Sequence, residues 1–206
     1  MAWGRIVKIN YFMEIILALC LGVTLSAASG FRIFLPPLAM SLASLSGNLE
    51  LSSGFGWVGT YPTAIALGIA TLVEILAYYI PVVDNLLDAI EIPTAIAIGT
   101  LLTAANLGDI DPLLQWSIAA IAGGGTAGII ETFTAMTRAA STGMTGGTGN
   151  FLVSTTEALS AGILSILAIF VPIFAAALVL GLLIMAMVKL PKFIKSWQRR
   201  KRRKSR

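Results

Sequence analysis

The chain has 206 residues, 57% apolar and 12% charged, whereas a soluble domain is about 45–50% apolar and about 25% charged. Ten of its fourteen Lys and Arg residues lie at or after Lys189, so residues 1–188 carry a net charge of −6, and Arg32 and Arg138 are the sole cations between Lys8 and Lys189. This balance excludes a soluble enzyme, a secreted disulfide scaffold and a disordered chain. One cysteine, Cys20, and no histidine also argue against zinc, haem and serine-hydrolase chemistry, so neither an enzyme nor a cofactor is expected.

A helix needs about 20 apolar residues to cross about 30 Å of hydrocarbon. Six hydrophobic segments meet or approach that length: 11–30, 33–47, 57–80, 93–108, 112–137 and 152–188. The second and fourth are short for a straight crossing and read as half-helices or re-entrant pieces. The expected fold is all-α, a polytopic transmembrane bundle forming one integral membrane domain over 1–188, with a basic tail over 189–206. Arg5 and Lys8 precede the first span and the cationic run follows the last, which puts both termini in the cytoplasm. The crossings are then even in number, either six or four with two re-entrant pieces. The first span, with Ile15–Leu25 followed by Ser26-Ala27-Ala28, imitates a secretory signal. The membrane-embedded sequence after it favours an uncleaved helix.

Arg32 follows a Ser-Gly pair and precedes Pro36, which opposes helix continuation. The guanidinium sits in a chain break, where it either binds something in a wet cavity or snorkels to headgroups. Pro62–Gly68, P-T-A-I-A-L-G, recurs almost unchanged at Pro93–Gly99, and each proline suits a helix start. With the small-residue runs that lead to Arg32 and Arg138, this suggests an internal repeat. Glu74 lies near the end of its helix, close to Pro81. The run 81–91 reads as a short amphipathic helix with Asp84, Asp88 and Glu91 on its polar face. An interfacial helix is favoured there over cation binding at Asp84 and Asp88.

In the span from 112, Ala120, Gly124 and Gly128 form a stripe for close helix approach and a candidate homo-oligomer face. Glu131 and Arg138 share one face two turns apart, about 10.5 Å. On that spacing they cannot pair directly, and each needs a partner elsewhere. Ser141 to Asn150, S-T-G-M-T-G-G-T-G-N, reads as a glycine-rich loop. Ser141, Thr142, Gly146, Gly147 and Asn150 could there form an anion-binding nest beside Arg138. The tail suits anionic lipid headgroups and shows no specificity for nucleic acid.

The motifs A-S-G-F-R-I-F-L-P-P-L-A at 28–39, E-I-L-A-Y-Y-I-P-V-V-D-N-L-L-D at 74–88 and the two glycine-rich runs within 121–150 resemble an uncharacterised bacterial family, domain of unknown function 4126. The resemblance covers most of 13–175 and implies a multi-pass inner-membrane protein. It carries over no catalytic or ligand residue. Two functions follow from the residues themselves. One is a small transporter or channel for an anionic or proton-coupled substrate, using Arg32, Glu74, Glu131, Arg138 and the 141–150 run. The other is a non-transporting scaffold, lipid-binding or complex-assembly protein.

Overall fold

The computed structural model describes the backbone of residues 2–78 and 81–204 and the side chains of 12–78 and 90–189. Helix α1 (Ala2–Ser29) leads through a short break into α2 (Leu35–Leu45), a 3-10 helix (Ser53–Gly59) and α3 (Tyr61–Ala77). Helix α4 spans Pro81–Asn106, and α5 (Pro112–Ile118) continues through a wide π turn (Ala119–Gly124) into α6 (Gly125–Thr145). Helices α7 (Asn150–Phe170) and α8 (Pro172–Lys204) complete the chain. Among the described residues all regular structure is helical.

Among the described residues, four helical stretches are long and apolar enough to cross a membrane: Phe12–Ser29, Pro112–Thr145, Asn150–Phe170 and Pro172–Lys189. The 3-10 helix and α3, bent by 64° at their junction, make a fifth if they are counted as one broken span. The chain is a membrane protein. Leu35–Leu45 is a short apolar helix, as the length of segment 33–47 requires, whereas segment 93–108 belongs to the 26-residue α4.

Two of the departures from the expected boundaries occur at prolines. Segment 152–188 is two helices, because Val171 leaves helical geometry (φ −140°, ψ 60°) just before Pro172, where a residue preceding proline is pushed out of the α region. Pro93 does not start a helix; it lies inside α4. A proline there costs one backbone hydrogen bond, but in hydrocarbon an unwound segment would leave several groups without partners. The side chains of Asp84 and Asp88 lie outside the described residues.

Helix α1 is central and packs against α4, α6, α7 and α8. Its contact with α4 is partly polar: the Ser26 hydroxyl donates to Gly99 O at 2.6 Å and lies 2.9 Å from Thr103 Oγ1. Around that contact the backbones of α4 and α6 touch, and a Cβ on Gly99 would stand 2.6 Å from Ala127 Cβ and 3.0 Å from Gly123 O. Gly124 and Gly128 meet Thr100 and Ile96 of α4. Gly124 and Gly128 are therefore covered by α4 of the same chain, while Ala120 is exposed.

Outside the spans, Asp109 ties the 107–111 connection to the start of the 3-10 helix. Its Oδ1 accepts from the Ser53 N–H at 3.0 Å and the Ser53 hydroxyl at 2.9 Å. Both bonds favour the carboxylate and hold its pKa below the ordinary 3.8. A pKa depressed in the folded state stabilises the protein above the unfolded value, and that contribution is lost as pH falls through the folded value. Asp109→Asn should therefore lower the melting temperature slightly at neutral pH, and the gap to the parent should close below about pH 3.8. Paired melting curves against pH in detergent check this; a gap that persists in acid contradicts it.

Candidate functional site

The break after α1 delivers Arg32 to the interior. Pro36 and Pro37 stand in the first turn of α2, where their missing N–H groups do no harm. Glu74 of α3 completes that helix start, accepting the Ile33 N–H at 2.7 Å and the Phe34 N–H at 3.1 Å. Its carboxylate thus caps another helix, satisfying donors that hydrocarbon cannot.

Arg32 is 1% exposed, so it does not snorkel to headgroups. Its Nη2 donates to Ser154 O at 2.8 Å and Ser154 Oγ at 2.5 Å on α7, and the same nitrogen lies 3.5 Å from Glu157 Oε2. Arg138 is buried equally, and its Nη2 donates to Glu91 Oε2 at 2.7 Å and Glu131 Oε1 at 3.0 Å. Its Nε stands 3.6 Å from Glu157 Oε1. Glu157 therefore lies between the two guanidiniums. Tyr78, just past α3, gives them a common ring, with the Arg32 guanidinium carbon 3.7 Å and that of Arg138 4.9 Å from its centroid. Each is within the range of a cation–π contact.

Two guanidiniums and four carboxyls (Glu74, Glu91, Glu131, Glu157) are thereby gathered from α3, α4, α6, α7 and the break after α1. All four acids are buried. An isolated arginine at the bilayer centre is costly by any scale, from about 2.5 kcal/mol upward. Here each arginine has carboxylate and ring partners.

The structure brings Arg32, Glu74, Glu131 and Arg138 together, but it corrects the reading of Glu131 and Arg138. They pair directly across seven residues. In a helix Cα–Cβ bonds tilt toward the N-terminus, so a long arginine chain reaches back over two turns. Nor does Arg138 adjoin a chain break: α6 continues to Thr145, and Gly146 ends it in the left-handed region at φ 64°. That is a common helix stop.

The expected nest at 141–150 is not a loop of free N–H groups. Residues 141–145 are helical and α7 begins at Asn150. The Asn150 amide donates to Thr142 Oγ1 at 2.8 Å, the Gly149 N–H to Thr145 Oγ1 at 2.9 Å, and the Thr145 hydroxyl to Ser141 O at 2.8 Å. Ser141, Thr142, Gly146, Gly147 and Asn150 form a tight turn that spends these donors on itself.

The sequence reading passes over Glu157, Ser154 and Tyr78, and it places Glu91 on a solvated face. Glu157 did carry a signal, since it is the only acid after Glu131 and begins a long apolar run. A lone acid in that setting needs a partner.

The family model for a domain of unknown function, DUF4126, matches residues 19–192. The chain belongs to that family. The match contains every charged member of the cluster, from Arg32 to Glu157. No curated protein and no solved structure matches the chain.

Proposed function

We propose that the protein is a proton-coupled membrane transporter whose working centre is the buried carboxyl–guanidinium cluster. The observation that carries this reading is the charge count. Four carboxyls face two guanidiniums, and the sequence holds no other cation between Lys8 and Lys189. Net charge is expensive in a low-dielectric interior, so two negative charges call for protons or an incoming cation. Glu91 and Glu131 share one nitrogen of Arg138. Two acids on one donor is an arrangement in which a proton is easily shared and passed. The acid excess supports a proton or cation rather than an anion as the coupled species. In this reading both termini face the cytoplasm and the tail rests on anionic headgroups, supported by Arg5, Lys8 and the ten cations from Lys189 onward.

Proteoliposomes loaded with a pH-sensitive dye and given a pH step test the proposal. The parent should dissipate the gradient faster than empty vesicles, and Glu131→Gln should reduce the rate to the empty-vesicle level. Glu14→Gln, at an exposed position outside the cluster, should behave as the parent. Equal rates for the parent and Glu131→Gln would overturn the reading.

A further inference from the structure

Helix α3 packs on α2 and the 3-10 helix, and a cleft remains between α3 and α4. The cleft encloses about 400 Å³, within the range of a small-molecule site. It is lined by Ala66, Ile69, Ala70, Val73, Ile90 and Thr94, together with the buried Ile33 and the half-buried Phe34. Ile69, Val73 and Ile90 are each about 60% exposed, so the mouth is on an apolar outer surface. Among the described residues, the only ionisable side chains lining the cleft are Glu74 and Glu91, two of the four acids in the cluster.

We propose that this cleft binds a lipophilic organic cation, an amine or quaternary onium with an apolar body, in exchange for a proton of the cluster. Charge complementarity selects the occupant. Apolar walls suit a hydrophobic body, and the acids at the base meet its positive centre. A hard metal ion wants six or more oxygen ligands, and these walls are almost entirely hydrocarbon. A neutral lipid chain fills the walls and leaves the charge excess unanswered. An anion is repelled by Glu74 and Glu91.

Among the described residues, the groups that set the charge around Glu91 are Arg138 and Glu131 from α6, Glu157 from α7, Glu74 from α3, Tyr78 just beyond it, and Arg32 from the break after α1. Within that set, one positive charge arriving at Glu74 and Glu91 is balanced by one proton leaving the pair of acids on Arg138. The exchange makes and breaks no other bond.

The inference rests on the proton-coupled reading, yet binding can be measured without flux. Tetraphenylphosphonium should bind the full-length protein in mild detergent by titration calorimetry, releasing protons. Its neutral analogue, triphenylphosphine oxide, should bind about tenfold more weakly or less. Glu91→Gln should weaken phosphonium binding by a similar factor. Because that variant also disturbs Arg138, Ala70→Phe supplies a second test: it fills the cleft and should abolish binding while the melting temperature stays near that of the parent. Equal binding of the cation and its neutral analogue would mean an apolar slot only and overturn the proposal, as would phosphonium binding unchanged in Ala70→Phe. Cleft-dependent binding with no proton flux leaves this inference standing and removes the transport reading. Flux with no cleft-dependent binding does the reverse.

Discussion

Arg138→Leu should fail to give a stable, monodisperse protein. The leucine would leave Glu91, Glu131 and Glu157 near one another with Arg32 as their only cation. Removing one partner of a buried ion pair typically costs about 3–5 kcal/mol, a large part of the roughly 5–15 kcal/mol by which a domain is stable. Arg138→Lys should recover only part of the loss. A single ammonium cannot reproduce the fork that places Nη2 on Glu91 and Glu131 while Nε faces Glu157. The triple variant Arg138→Met, Glu91→Gln, Glu131→Gln should be more stable than Arg138→Leu, since it leaves fewer unpaired acids. Thermal unfolding read by size-exclusion chromatography checks the series. A melting temperature for Arg138→Leu within a few degrees of the parent would show that the cluster does not hold the bundle together.

Gly99→Val should be as damaging, for a reason unrelated to charge. The first added carbon would already stand 2.6 Å from Ala127 Cβ and 3.0 Å from Gly123 O, and neither a Cβ nor a backbone oxygen can swing aside without its helix. Overpacking in a core costs about 1–3 kcal/mol where side chains can give way; here α4 and α6 would have to separate. That separation would also pull Gly99 O from the Ser26 hydroxyl and loosen α1. Gly162→Ala is the matched control, because a Cβ at Gly162 meets nothing within 4 Å. It should hold or raise the melting temperature, by up to about 1 kcal/mol of helix propensity. If the two variants melt alike, close helix approach is not what fixes this packing.

Much of the fold is legible in the sequence because hydrocarbon imposes length and polarity rules that a one-dimensional scan can apply. The spans from 11 and 112 and the shortness of 33–47 follow from them, whereas 57–80 falls in a pair of helices bent by 64°, 93–108 in the long α4 and 152–188 in two helices. The rules fail where a single residue decides between two regular outcomes. Proline stands both at Pro93, inside a helix, and at Pro172, after a break, and nothing local separates the cases. Arg32, Glu74, Glu131 and Arg138 announce themselves as charges in apolar sequence. Glu91 and Tyr78 do not: one shares a face with Asp84 and Asp88, and the other is an aromatic near a helix end. Their role depends on which helices become neighbours, a long-range fact. The 141–150 run misleads because glycine and hydroxyl residues read as loop, although their hydroxyls bond back to the helix they belong to.

The wide turn at Ala119–Gly124 works as a phase adjuster. Each residue in a helix is worth about 100° of rotation, and a π turn holds roughly one residue more than an α turn. Upstream of it the Gln115 amide is fastened to Ala104 O at 2.9 Å and Gly108 O at 3.2 Å. Downstream, Arg138 reaches both Glu131 and, on α4, Glu91. Deleting one residue from Ala-Ala-Ile-Ala-Gly-Gly would restore a regular helix, and the rod could then satisfy one end or the other, but not both. The aim of the buried charge cluster is set by six residues that carry neither a charge nor a hydroxyl.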